Sequence, residues 1–163
     1  MDNNTRIQTE KSFLEVSRGA ARNKLYALRA EQDGNGQLAR LFRAIAFSEE
    51  AQALRFLLQL RGQTGKNEQN CTVAFAEEIP GLINHYEKAT DIAIQAGERA
   101  MESAFSQSAK VSRIHLSLKK KLEKDTAKDS PYNVCSFCGF IMEGRVPDNC
   151  PICTAPASRF KEV

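Results

Sequence analysis

Four of the chain's five cysteines fall near its end, as Cys135-Ser-Phe-Cys138 and, after eleven residues, Cys150-Pro-Ile-Cys153. Each Cys-x-x-Cys turn presents two sulfurs to a common point, so two such turns can close a tetrahedral thiolate cage around one metal ion. Structural zinc and redox-active iron both accept four thiolates, and the spacing alone does not choose between them. Gly139 follows the first pair and Pro151 lies inside the second. A glycine there permits the positive backbone angle that turns successive N–H groups toward sulfur. The fifth cysteine, Cys71, has no histidine or lysine that the sequence assigns to activate it, and it reads as a bystander thiol. The opening Met1-Asp-Asn-Asn-Thr-Arg6 has no apolar core of the kind an export signal needs. Paired Cys-x-x-Cys turns without such a signal favour metal over disulfides and make the cytoplasm the expected compartment.

The elements that must carry these residues are of two kinds. From about Thr9 to Lys124 the apolar residues recur at helical spacing, through Phe13, Leu14, Leu25 and Leu28, then Leu41, Phe42, Ile45 and Leu57. The pattern continues through Val73, Phe75, Ile83 and Ile92, and then Phe105, Ile114, Leu118 and Leu122. Asp33-Gly34-Asn35-Gly36, the stretch from Gly62 to Asn70, and Gly97 divide this into four segments. Four amphipathic helices with short connections predict an up-down antiparallel bundle. Pro80-Gly81 predicts a kink or a helix start inside the third segment.

After a polar linker from Asp125 to Pro131 the character changes, and Tyr132, Val134, Phe140, Ile141, Val146 and Phe160 suggest short strands and turns. The expected organisation is a helical bundle over residues 1–128 and a four-cysteine metal domain over 129–163. The tail is too short to hold a core without its metal. Hydrophobic residues at 42% and charged residues at 26% are ordinary for a globular protein, and no stretch reaches the length of a membrane span. The net charge of +3 does not call for a nucleic-acid partner, and Lys119-Lys120-Lys121 reads as a solvated helix end.

Cys135-Ser-Phe-Cys138-Gly-Phe-Ile-Met-Glu-Gly144, with Cys150-Pro-Ile-Cys153-Thr-Ala-Pro156 and Phe160, resembles the rubredoxin-like domain that ends rubrerythrins. A helical bundle ahead of it matches the order of that family, so the resemblance covers nearly the whole chain. It implies a mainly α protein, a ferritin-like antiparallel four-helix bundle followed by a small rubredoxin-like domain of strands and turns. It also implies iron in the cage, electron delivery to a diiron peroxidase site in the bundle, and a homodimer served by a redox partner protein.

The diiron ligands that the resemblance implies are mostly missing. The second helix's Glu-x-x-His falls on Glu49-Glu-Ala-Gln52, the third helix's Glu-x-x-Glu on Gly81-Leu-Ile-Asn84, and the fourth helix's Glu-x-x-His on Ser112-Arg-Ile-His115. In the first helix the expected glutamate falls on Val16, Arg18 or Ala20 according to the anchor chosen, with Glu15 nearby. Glu49 and His115 therefore remain, as a vestigial metal site or as a buried polar pair, and an inward Arg18 would pair with Glu49. Two close cations need several anionic oxygens, which this set does not supply. The expectation is a one-electron carrier that is oxidoreductase-like by resemblance but without peroxidase activity of its own. The alternative is a zinc-stapled helical scaffold.

Overall fold

The computed structural model describes residues 1–62, 64–124 and 130–163. They form two compact units, Met1–Gly65 and Lys66–Val163. The linker expected from Asp125, and the 128/129 boundary, lie largely outside the described residues.

The first unit is a hairpin of two helices, α1 (Asn3–Gln32) and α2 (Gly36–Arg61). α1 starts ahead of its apolar pattern because Asp2 caps it, accepting from the Thr5 N–H at 3.0 Å. The Asp33-to-Gly36 cluster works at both ends of the turn. Asp33 accepts from Arg29 Nε at 2.9 Å, and Asn35 caps α2 through the Leu38 N–H at 3.1 Å.

Alanines make the seam of this hairpin. Ala20, Ala27 and Ala30 of α1 and Ala39, Ala46 and Ala53 of α2 are its buried apolar residues. The α2 set repeats every seven residues, which keeps one narrow stripe facing the partner helix. Small side chains let the helices approach closely, so the larger Leu25, Leu28 and Leu41 are displaced to the flanks and remain exposed. Tyr26 and Phe42 meet across the hairpin with ring centroids 5.5 Å apart, and ion pairs join Lys24 to Glu50 and Arg43 to Glu31.

The second unit begins with a short α3 (Asn67–Cys71), inside what the sequence suggests is a polar connection. A π-helical stretch, Thr72–Glu78, runs directly into α4 (Ile79–Ala96). A helix start, one of the two outcomes expected at Pro80-Gly81, is what the structure has, and the π-helical winding lies just upstream. Pro80 sits in the first turn of α4. Gly97 turns the chain into α5 (Arg99–Lys124), and Arg113 of α5 pairs with Glu87 of α4.

A three-stranded antiparallel sheet follows in the order β2-β1-β3, with β1 Tyr132–Cys135, β2 Ile141–Glu143 and β3 Phe160–Glu162. Val134 lies opposite Ile141 on one side and Lys161 on the other, and Cys135 lies opposite Phe160. Phe140 packs edge-on against Phe160 at 6.2 Å, and Lys121 pairs with Glu143 to tie α5 to β2. The described residues are mainly α, with four long helices and a small strand region carrying the four paired cysteines.

Candidate metal centre

Cys135 ends β1, and Cys150 follows the isolated bridge between Asn149 and Pro156. The two Cys-x-x-Cys turns are built alike. In the first, Gly139 N donates to Cys135 O at 2.9 Å and Cys135 N to Phe140 O at 2.8 Å. In the second, Thr154 N donates to Cys150 O at 2.9 Å and Cys150 N to Ala155 O at 2.8 Å. The residue after each pair has a positive φ, 79° at Gly139 and 62° at Thr154. A β-branched residue rarely takes that conformation. Sequence reading picks out Gly139 and misses Thr154, because threonine carries no signal for a left-handed backbone.

The four sulfurs lie within 4.8 Å of one another. Cys135 and Cys153 Sγ are 3.8 Å apart, and Cys138 and Cys150 Sγ 3.6 Å. Metal–sulfur bonds of about 2.3 Å in a tetrahedron put sulfurs about 3.8 Å apart, so the donor set fits one zinc or iron ion. Cys135 and Cys150 are buried, while Cys138 and Cys153 are partly exposed.

Backbone amides are aimed at this cluster. Burial raises the Cys135 thiol, but the N–H groups of Cys138 and Phe137, together with the Cys138 and Cys153 thiols, hold the group below its ordinary value. Burial keeps Cys138 and Cys153 above theirs, opposed by the N–H groups of Phe140 and Ala155 respectively. A bound cation deprotonates such thiols outright, and the same amides then hydrogen-bond the thiolates. Among the described residues, these four cysteines are the group of three or more metal-binding side chains close enough to share an ion.

The family model described as rubrerythrin, rubredoxin-like domain, matches residues 134–161. A rubrerythrin of Clostridium perfringens is 25% identical, across 93% of this chain and 90% of its own length. A rubrerythrin of Porphyromonas gingivalis is also 25% identical, across 92% of this chain and 85% of its own. The chain is similar to rubrerythrins along nearly its whole length. Its fold is that of nigerythrin, whose mixed-valence structure superposes with a TM-score of 0.54 at 20% identity, covering 98% of this chain and 86% of that one. The fully reduced, all-ferrous nigerythrin structure gives a TM-score of 0.51 over the same shares.

Of the two bundle positions that remain, Glu49 is engaged locally. Glu49 leans over α1, where Asn23 Nδ2 donates to its Oε2 at 2.8 Å. A Cβ at Gly19 would fall 2.5 Å from Glu49 Oε1, so the missing side chain is what admits the carboxylate. Arg18 does not pair with Glu49; it is exposed and contacts Glu15 at 3.3 Å, one turn away on its own helix. Gln52, Gly81 and Asn84 are exposed, and Ser112 is buried.

His115 lies on α5 with its Nε2 buried and without a hydrogen-bond partner. Desolvation lowers its pKa, opposed by the Gly139 carbonyl that the ring faces. Cys71 is half-buried at the end of α3.

Proposed function

We propose that this rubrerythrin-like protein is a one-electron carrier working through a mononuclear iron–tetrathiolate centre on Cys135, Cys138, Cys150 and Cys153. Iron in four thiolates supplies exchange between ferric and ferrous states. The observation that carries the reading is the set of amides aimed at the sulfurs, from Phe137, Cys138, Phe140 and Ala155. N–H groups directed at thiolates stabilise the additional negative charge of the reduced state. The burial of Cys135 and Cys150 excludes water from one side of the cage. On the other side Phe137 is 71% exposed, which gives a redox partner protein an apolar point of contact beside Cys138.

The same reading holds that the diiron peroxidase site of the bundle has been lost. Neutral residues, Gln52, Gly81, Asn84 and Ser112, stand where the resemblance expects ligands, and Glu49 is held by Asn23. Peroxide reduction would then fall to a partner. We place the protein in the cytoplasm, where thiols stay reduced. No helix among the described residues is long and apolar enough to cross a membrane. We further propose that it works as a homodimer.

Anaerobic purification followed by metal analysis and visible spectroscopy tests the assignment. One iron per chain, a red ferric form and reversible bleaching on one-electron reduction are expected, with no peroxide turnover by the protein alone. Stoichiometric zinc and a colourless, redox-silent protein would overturn electron transfer in favour of a zinc-stapled scaffold. A second and third iron retained after removal of residues 132–163 would restore the bundle site.

A further inference from the structure

Two residues of α5, one helical turn apart, lie against the first cysteine turn. Val111 is buried, and its Cγ1 is 3.9 Å from where a Cβ would stand on Gly139. His115 follows on the same face of the helix, and its ring faces the Gly139 carbonyl. The buried Nε2 has no partner, so no bond at that atom draws the ring elsewhere. Desolvation favours the neutral imidazole, which has one N–H to donate.

The Gly139 carbonyl and the Phe140 N–H belong to one peptide group. That group is trans, so its carbonyl and its N–H point in opposite directions. The Phe140 N–H is the amide aimed at Cys138. One end of the peptide therefore meets α5 while the other meets a sulfur. Within the turn the accepting carbonyls are those of Cys135 and Phe140, which leaves the Gly139 carbonyl to α5. Gly139, with φ 79°, has no side chain to restrict rotation of this peptide. The second turn is built differently: its Ala155 N–H is aimed at Cys153 from behind Thr154, whose Cβ confines the backbone.

We propose that His115 is a positioning residue for the metal centre: its imidazole N–H holds the Gly139 carbonyl and thereby keeps the Phe140 N–H on the Cys138 sulfur. A donor on the carbonyl also polarises the peptide and strengthens its N–H as a donor. The bond to sulfur stabilises the extra negative charge of the reduced centre. That redox consequence rests on the proposed iron site, whereas the positioning applies to any ion held by the four thiolates.

The first measurement uses the full-length protein loaded with a spin-active cadmium isotope, so that it does not depend on iron. Amide protons that hydrogen-bond the thiolates then show scalar coupling to the metal. The Phe140 and Ala155 amides should both couple. His115→Phe, which keeps a ring but has no N–H, should cut the Phe140 coupling by about half or more and leave Ala155 unchanged. His115→Asn and His115→Gln place an amide N–H near Nδ1 and Nε2 respectively, and the one that matches the donor nitrogen should restore the Phe140 coupling. In the iron-loaded protein His115→Phe should shift the reduction equilibrium about threefold to tenfold toward the ferric form, or about 28–59 mV for one electron.

In the unaltered protein a protonated His115 nitrogen should show scalar coupling to the Gly139 carbonyl carbon. Absence of that coupling would overturn the inference whether or not a variant folds. So would an undiminished Phe140 coupling in His115→Phe, equal losses at Phe140 and Ala155, rescue by neither amide variant, or an unchanged potential. A native protein holding zinc and no iron would overturn electron transfer instead, and the cadmium measurement would still decide the role of His115.

Discussion

Gly139 and Thr154 occupy the same position in two turns that share their hydrogen bonds, yet only one of them is a glycine. A left-handed backbone costs a side-chain-bearing residue about 1–2 kcal/mol, and glycine almost nothing. The threonine recovers little locally, since among the described residues its hydroxyl bonds to the neighbouring Cys153 carbonyl alone. The two sites should therefore respond in opposite directions. Thr154→Gly should stabilise the metal-loaded tail by roughly 0.5–1 kcal/mol after glycine's greater freedom in the unfolded chain is counted. Gly139→Ala should destabilise it by about 1–2 kcal/mol. The clash is not the reason, because a Cβ at Gly139 would meet Val111 Cγ1 at an ordinary 3.9 Å. Thermal melts of the metal-loaded protein check both signs, and destabilisation by Thr154→Gly would show that the second turn is held by something other than its backbone geometry.

Among the elements, the strands depend most on chemistry outside themselves. β1 has four residues and β2 and β3 three each, too few for an isolated sheet. Their apolar support is slight: Phe140 on Phe160, and Val111 beneath the first cysteine turn. Metal binding is therefore folding free energy for this segment, while α1 and α2 hold an alanine seam that needs none. Removing the ion with a strong chelator under reducing conditions should melt residues 132–162 and leave far-UV helical signal nearly unchanged. Hydrogen exchange at Val134 and Ile141 should rise to unprotected rates, and protection that persists would mean the sheet folds on α5 alone. The sequence makes much of this legible. The cysteine spacing locates the cage, Asp33 to Gly36 and Gly97 locate two turns, and loss of helical period marks the tail. Other features leave no trace in composition. Leucine periodicity hides an alanine seam, because burial in a close-packed hairpin goes to the smallest residues. The π-helical stretch is equally silent, since its sequence, Thr72 to Glu78, has ordinary helical residues and the proline lies just beyond it.

At the scale of the whole molecule, α2 presents apolar side chains on a face the hairpin seam does not occupy. Phe47, Leu54 and Leu58 are 74%, 64% and 50% exposed. Their spacing of seven and four residues places them in one line, about 100° around the helix from Ala46 and Ala53. Soluble monomers rarely leave such a row uncovered, so it supports the proposed homodimer. Two glutamates in that row would desolvate unpaired carboxylates in an interface but would sit in water on a monomer. Phe47→Glu with Leu54→Glu should thus convert the protein from twice its chain mass of 18.1 kDa to a single chain in sedimentation equilibrium. The variant should keep its helical content and its metal, because the alanine seam and the cage are untouched. A native protein that sediments as one chain across the micromolar range would remove the dimer. A double variant that remains dimeric would move the interface to another face.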